Sequence, residues 1–390
     1  MTHPSTTVKT VGVIGGGQLA WMMVPAAQRL GVNLIVQTPQ ITDPAASVAT
    51  ETILAPIADA TATALLAQNC DVITFENEFV DLEALAILEA QGVCFRPRLS
   101  VLVPLLDKYQ QLSYLRQIGL PTPEFRLWDD PAPLKTWWQE NSPGQIVVKA
   151  RRHGYDGQGT FIVSDDNTLK EIEQKLGNNN LLLQQFIPFE RELAVIAARS
   201  VTGEVAIYPI VETIQVNQVC QQVIAPAEIN PELEKTIEGL ARTLLNSLGA
   251  VGIFGIELFL TRDQQVFINE IAPRTHNSGH FTIDACKTSQ FEQHLRAVCG
   301  FPLGATDLIG AGAVMVNLLG YEYSHDDYQR QREIISNIPH ATIHWYQKSE
   351  YRPGRKMGHV TVLLESNSPL ENREMAIKIT QQVLSIWQSK

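Results

Sequence analysis

Gly255-Ile256-Glu257-Leu258-Phe259-Leu260, then Thr261 to Gln265, then Val266-Phe267-Ile268-Asn269-Glu270-Ile271-Ala272-Pro273-Arg274 reads as two apolar strands joined by a polar turn. With Arg262 to Gln265 as a four-residue hairpin loop, Thr261 pairs with Val266, and counting back sets Glu257 directly opposite Glu270. Directly opposed side chains have Cβ atoms ~4.5–5.5 Å apart, where like charges repel. Both carboxylates sit among apolar neighbours, so water is not their full remedy. A hard divalent cation is, with Asn269 as a further oxygen ligand. The competing reading is two glutamates on a solvated sheet face.

About a hundred residues upstream, Val147-Val148-Lys149-Ala150-Arg151-Arg152-His153-Gly154-Tyr155-Asp156-Gly157-Gln158-Gly159-Thr160 delivers a lysine on a strand and then three glycines. Glycine lets backbone amides approach polyphosphate oxygens, and the lysine adds point charge. The spacing is not that of a P-loop, because no Gly-Lys-Ser/Thr opens a helix. Alone, the segment also fits an ordinary Gly-rich hairpin. A lysine-bearing Gly-rich loop together with a facing glutamate pair implies Mg²⁺ held against ATP phosphates.

Near the N-terminus, Gly15-Gly16-Gly17-Gln18-Leu19-Ala20 matches the dinucleotide pattern Gly-x-Gly-x-x-Ala. NAD binding also wants a carboxylate at the end of the second strand, and Val36-Gln37-Thr38 has none. The loop is therefore a tight turn or an anion-contacting loop at a helix N-terminus.

The first hundred residues alternate strand and helix patterns: strands at 8–14, 32–37, 72–75 and 93–95, helices at 18–30, 60–68 and 81–91. That order predicts an α/β domain with a parallel, Rossmann-like sheet. A helix at 108–118 follows, with strands at 145–150, 160–163, 181–186 and 192–199 and a helix at 231–248, which predicts an α+β domain. A smaller β-rich segment runs from Gly304 to Leu364, and a helix over 372–388 closes the chain. Domains are expected at 1–103, 104–302 and 303–390.

The chain has 390 residues, 45% apolar and 18% charged, enough for two or three cores. A net charge of −11 argues against nucleic acid or an anionic membrane as partner. Five scattered cysteines (Cys70, Cys94, Cys220, Cys286 and Cys299) show neither metal-ligand spacing nor a disulfide framework. No apolar run reaches the ~18 residues of a membrane span, and a cytoplasmic location is expected.

At these residues the sequence resembles the ATP-grasp superfamily, and within it the bicarbonate-using ligases of purine biosynthesis. The specific pieces are His153-Gly-Tyr-Asp-Gly-Gln-Gly159, Asn269-Glu-Ile-Ala-Pro-Arg-Thr-His-Asn-Ser-Gly-His280 and Arg352-Pro-Gly-Arg-Lys-Met-Gly-His359. The likeness extends from Gly15 to His359. It implies a preATP-grasp domain, an ATP-grasp domain and a small β-rich C-terminal domain. It also implies a homodimer that joins bicarbonate to the amine of 5-aminoimidazole ribonucleotide through carboxyphosphate, with ATP as co-substrate. The neighbouring alternative is a formate-using glycinamide ribonucleotide transformylase. A non-catalytic nucleotide-binding module is a rival of another class, with little reason to keep Glu257, Glu270 and Arg274 together.

The resemblance implies that Lys108 and Lys149 contact ATP phosphates and that Gly154, Tyr155, Asp156, Gly157, Gln158 and Gly159 fold over them. Gln184, Gln185, Phe186 and Ile187 would meet adenine and Glu192 the ribose, with Gln215 and Asn269 on the ATP side and Glu257 and Glu270 on Mg²⁺. Arg274, His276 and Asn277 would be catalytic and, with Ser278, surround bicarbonate and the ribonucleotide. Gln18, Leu19, Glu76, Tyr155, Asp156, Lys348, Arg352 and Arg355 would bind the ribonucleotide. Four residues depart from the family pattern: Gln184 stands for glutamate, Lys108 for arginine, Gln215 for histidine and Gln158 for a basic residue. The segment Lys348 to Lys356 carries four cations against Glu350. It is expected to hold the substrate phosphate, the alternative being a solvated basic loop.

Overall fold

The computed structural model describes residues 8–129, 134–152, 159–176, 181–324, 326–348 and 350–389. His153 and the predicted phosphate-covering residues Gly154, Tyr155, Asp156, Gly157 and Gln158 lie outside them.

The N-terminal sheet is parallel, with β1 (Thr10–Ile14) flanked by β2 (Asn33–Thr38) and β4 (Val72–Phe75), and β3 (Glu51–Leu54) at the edge beyond β2. Strands β1, β2 and β4 are almost wholly buried, in keeping with their mostly apolar sequences. The expected strand at 93–95 is reduced to one bridge, Phe95 to Ile73. Helix Gln18–Leu30 stops at Gly31, whose φ of 66° lets its N–H reach the carbonyls of Ala27 and Gln28.

A four-stranded sheet follows in the order β5 (Phe125–Leu127), β8 (Leu181–Gln185), β6 (Ile146–Ala150) and β7 (Thr160–Val163). The largest sheet runs β14 (Val266–Ala272), β13 (Gly252–Thr261), β9 (Phe189–Arg199), β11 (Val211–Val216), β12 (Val219–Ala225), β15 (Gly312–Leu319), β17 (Lys356–Leu364) and β16 (Ala341–Trp345), with β10 (Val205–Ile207) beside β9. The C-terminal strands thus continue the central sheet through the β12–β15 pairing rather than forming a sheet of their own.

Helix Pro231–Leu248 shows how local signals set an element. Asn230 caps Leu233 N–H, Pro231 opens the first turn, Glu232 and Glu234 face the positive end of the helix dipole, and Gly249 ends it at φ 58°. Its buried Leu233, Ile237, Ala241, Leu244 and Leu245 pack on Leu193, Val195, Phe254 and Ile256. Each fully buried large aliphatic side chain there contributes ~1.5–3 kcal/mol.

Two buried contacts fix the N-terminal sheet against the central one. Helix Gln290–Cys299 sets Phe291, Leu295 and Val298 into the cluster formed by Val11, Met23 and Leu34. From the same helix, His294 Nδ1 accepts Ile253 N–H at 3.2 Å, so its Nε2 carries the proton and donates to Thr74 Oγ1 at 2.8 Å.

Candidate active site

One cavity of about 1420 Å³ is lined from all three sheets. Among the described candidates, Gln18, Leu19, Glu76, Lys108, Lys149, Gln184, Gln185, Phe186, Ile187, Glu192, Gln215, Glu257, Asn269, Glu270, Arg274, His276, Asn277, Lys348, Arg352 and Arg355 all reach its wall. Ser278 and Gly159 do not.

Glu257 and Glu270 are paired across β13 and β14, as expected, but the path to that pairing differs. Leu260, not Thr261, pairs with Val266, because Thr261 closes the turn by accepting Gln265 N–H. The offset is cancelled by a bulge between Glu257 and Leu258 on one strand and Ile268 and Glu270 on the other. Asn269 is the extra residue, and the bulge re-aims it so that it lines the cavity beside Glu270. Lys149 Nζ donates to Asn269 Oδ1 at 2.9 Å and Lys108 Nζ to Glu270 Oε2 at 2.8 Å. Asn269 Nδ2 reaches Glu257 Oε2 at 3.4 Å.

Burial and the facing Glu270 push Glu257 up to about 7. Glu192, diagonal to Glu257 across β9 and β13, is also pushed up to about 7, by burial and then by Glu257. Burial acts to raise Glu270, but the charge and hydrogen bond of Lys108, joined by Lys149 and His276, together outweigh it and hold the carboxyl below its ordinary range. Lys149 is lowered to about 8 by burial and by Lys108. A cluster of oxygen donors that raises its own proton affinity is short of positive charge, and hard dications take such ligands. Glu257 and Glu270, with Asn269 Oδ1, fit magnesium.

At the other end of this wall, Gln184 is buried and its Oε1 has no hydrogen-bond partner among the described residues, which suits a polar ligand. Phe186 N–H is already taken by Ser142 Oγ at 2.8 Å. Gln215 sits at the bulge of the β11–β12 hairpin.

The glycine loop packs against a carboxyl of the chain itself. Glu76 accepts N–H bonds from Gly17 and Leu19. A Cβ on Gly15 would lie 2.4 Å from Glu76 Oε2, and one on Gly17 would lie 2.5 Å from Oε1. Gly15 also has φ 110°, which L side chains avoid. Burial raises the Glu76 carboxyl above its ordinary range despite those bonds and Arg274.

Lys348 Nζ ties the C-terminal region to this loop by donating to Gln18 Oε1 at 2.5 Å and to the carbonyl of Lys356 at 2.8 Å. Arg352 to Arg355 form a turn closed at 3.1 Å around Gly354, whose φ is 79°. The turn brings Arg352, Arg355 and Lys356 to the same cavity as Lys348. Arg355 is held below its ordinary range by burial and by Arg352.

Arg274 makes a two-pronged ion pair with Glu78, Nε to Oε2 at 2.5 Å and Nη2 to Oε1 at 3.0 Å. Burial alone would lower this guanidinium, but Glu78 raises it. His276 Nε2 lies 3.4 Å from Glu257 Oε1, and its Nδ1 meets Ser278 Oγ at 2.8 Å. Ser278 therefore orients His276 from behind the wall. Gln290 Oε1 accepts His276 N–H, so its amide nitrogen faces His280 Nδ1 at 2.9 Å and places the His280 proton on Nε2. Nearby, Asp284, His344 and His359 bring one ligand atom each within 4.8 Å of the others. The His344 and His359 rings are stacked at 4.6 Å and 19°, so their in-plane lone pairs do not converge on one ion.

Sequence reasoning missed Glu78, Gln290 and Asn317, and also Glu212, which Arg373 grips at 2.8 and 2.9 Å. The partners described above lie 10 to 196 positions away, beyond the spacing of a single helix turn or strand pair.

Comparison with known proteins agrees with this layout. Residues 8–103 match the ribonucleotide synthetase preATP-grasp domain, 113–291 the ATP-grasp domain, and 313–373 the phosphoribosylaminoimidazole carboxylase C-terminal domain. N5-carboxyaminoimidazole ribonucleotide synthase of Synechococcus elongatus is 52% identical over 97% of this chain and 96% of its own. The Bacillus subtilis protein of that name is 37% identical over 90% of this chain and 91% of its own. Among solved structures, the Aspergillus clavatus N5-carboxyaminoimidazole synthase in complex with ADP and 5-aminoimidazole ribonucleotide is similar. It is 32% identical with a TM-score of 0.88, covering 98% of this chain and 99% of that one. An ADP complex of an N5-carboxyaminoimidazole ribonucleotide synthetase gives 35% identity and a TM-score of 0.88, covering 98% of each chain. With the paired glutamates, their lysines and the basic turn on one cavity, the chain belongs to the N5-carboxyaminoimidazole ribonucleotide synthase family of ATP-grasp enzymes.

Proposed function

We propose that this chain carboxylates the exocyclic amine of 5-aminoimidazole ribonucleotide with bicarbonate, at the expense of ATP. The products are N5-carboxyaminoimidazole ribonucleotide, ADP and phosphate, a step of purine biosynthesis. One observation carries the reading: Glu257 and Glu270 with Lys108 and Lys149, and the turn Arg352–Arg355 with Lys348 and Lys356, line the same cavity. The first set suits a polyphosphate and the second a phosphate monoester.

In this reading a bicarbonate oxygen attacks the γ-phosphorus, breaking its bond to the ADP oxygen and giving carboxyphosphate. The substrate amine then attacks the carboxyl carbon, phosphate leaves with the bonding electrons, and the amine gives up a proton. Lys108 and Lys149 hold the phosphates in line, which is most of what phosphoryl transfer asks of a protein. Arg274, kept charged by Glu78, and His276, braced by Ser278, face the reacting carboxyl group. Gln184 to Ile187 with Glu192 take the nucleoside, and Gln18, Leu19 and Glu76 join the basic turn around the ribonucleotide. Magnesium at Glu257 and Glu270 neutralises phosphate charge when bound.

The proposed units are 1–103, 104–302 and 303–390, the protein a cytoplasmic homodimer. The first boundary coincides with the end of the preATP-grasp match. No described helix is long and apolar enough to cross a membrane.

The test is ADP release by purified protein with each substrate omitted in turn. Release should require both bicarbonate and 5-aminoimidazole ribonucleotide. Release driven instead by formate and glycinamide ribonucleotide would overturn the reading in favour of its neighbour.

A further inference from the structure

We infer that Asn317 is a positioning residue that dictates which amide atom of Asn277 faces the substrates; the inference rests on the function proposed above. Asn277 lies on the cavity wall next to His276, whereas Asn317 is fully buried on β15 and takes no part in the lining. The two side chains exchange a reciprocal pair of bonds. Asn277 Nδ2 donates to Asn317 Oδ1 at 3.0 Å, and Asn317 Nδ2 donates to Asn277 Oδ1 at 2.7 Å.

The two ends of an amide are alike in shape, so only a partner of known polarity decides its orientation. That partner is the backbone carbonyl of Cys220, which accepts from Asn317 Nδ2 at 2.8 Å. A carbonyl only accepts, so the amino end of Asn317 must face it, and its oxygen must face the other way. Asn277 then has one orientation that bonds. Turned over, it would set N–H against N–H and oxygen against oxygen, and lose both bonds. One N–H and one lone pair of Asn277 stay uncommitted within the pair, at fixed places on the wall.

A strand from the C-terminal region thereby sets the hydrogen-bonding polarity at the carboxylation end of the site. Cys220 matters here for its carbonyl, not its thiol. An acidic or apolar side chain at 317 leaves the cavity lining untouched yet removes the instruction.

The experiment is a double-mutant cycle on the full chain with Asn317→Leu, Asn277→Ala and both together, reading kcat and the KM for ATP, bicarbonate and ribonucleotide. Wild-type turnover, measured first, bears on the proposed function alone; the cycle bears on this inference. Asn317→Leu should lower kcat about tenfold, within the range for coupled neighbours, and leave the KM for ATP within about twofold. In the Asn277→Ala background it should cost nothing further, because its effect passes through Asn277. Losses that multiply, a KM for ATP that rises with the others, or a wild-type kcat would each overturn the inference. If the leucine does not fold, Asn317→Asp is the second variant. Its carboxylate sets oxygens against both Cys220 O and Asn277 Oδ1, so the same loss of kcat is expected, and a wild-type kcat refutes positioning.

Discussion

Replacing Glu257 by glutamine removes one of two carboxylates paired across β13 and β14, while keeping its shape and its contact with Asn269. Raising a carboxyl from 4.5 in the unfolded chain to about 7 in the fold means that its charged form destabilises the protein above neutrality. The penalty is absent below pH 4.5 and fully developed above pH 7, the window between those two values. At 1.36 kcal/mol for each factor of ten in acidity, it amounts to ~3 kcal/mol at pH 8 and less than ~1 kcal/mol at pH 5. The side chain is still 27% exposed, so solvent offsets part of it, and ~1–3 kcal/mol at pH 8 is the working figure. Glu257→Gln should therefore be more stable than wild type in urea at pH 8 without Mg²⁺ or ATP, and nearly equal at pH 5. The same variant should lose most ATP turnover. A variant less stable than wild type at pH 8, or one equally stabilised at both pH values, would show that Glu257 carries no such charge penalty.

Burial lowers His294 from 6.5 to about 4, so its contribution to stability is present above pH 6.5 and lost as pH falls towards 4. That is worth ~3 kcal/mol, with His280 and His359 shifted in the same direction, and urea midpoints measured from pH 7 to pH 4 should fall accordingly. Glu78→Gln breaks a two-pronged charged pair with Arg274 and should lower kcat roughly ten- to hundredfold while sparing the KM for ATP; an unchanged kcat counts against Arg274 at the reacting carboxyl group. Arg355→Ala should raise the KM for the ribonucleotide roughly ten- to hundredfold and leave that for ATP alone; equal losses would place the turn at ATP or at domain closure.

How far the sequence was legible depended on distance along the chain. Helices 18–30, 60–68 and 231–248 were readable to the residue, because their caps and apolar periods are local. The hairpin β11–β12 was not, since its turn uses Asn217 and Gln218 at positive φ where the usual signal is Asn-Gly. The β3 strand is four residues on a half-exposed edge, without a clear alternation. At the site, Glu257 opposite Glu270 was correct through two cancelling features, a turn one residue longer and a bulge at Asn269. The glycine loop was legible as a tight turn or an anion-contacting loop, but not that Glu76, some sixty residues on, packs against it. Glu78 and Asn317 reach their partners across 196 and 40 positions, and only the folded sheets reveal them.

In the proposed function one cavity couples cleavage of ATP to carboxylation of the aminoimidazole amine. That coupling is read by counting ADP against product carbon, with ¹³C-labelled bicarbonate and 5-aminoimidazole ribonucleotide supplied to the purified protein. One labelled carboxyl group on the exocyclic nitrogen is expected for each ADP released, seen by NMR before the unstable product decays. ADP release with no label on that nitrogen, or a rate indifferent to the ribonucleotide, would contradict it.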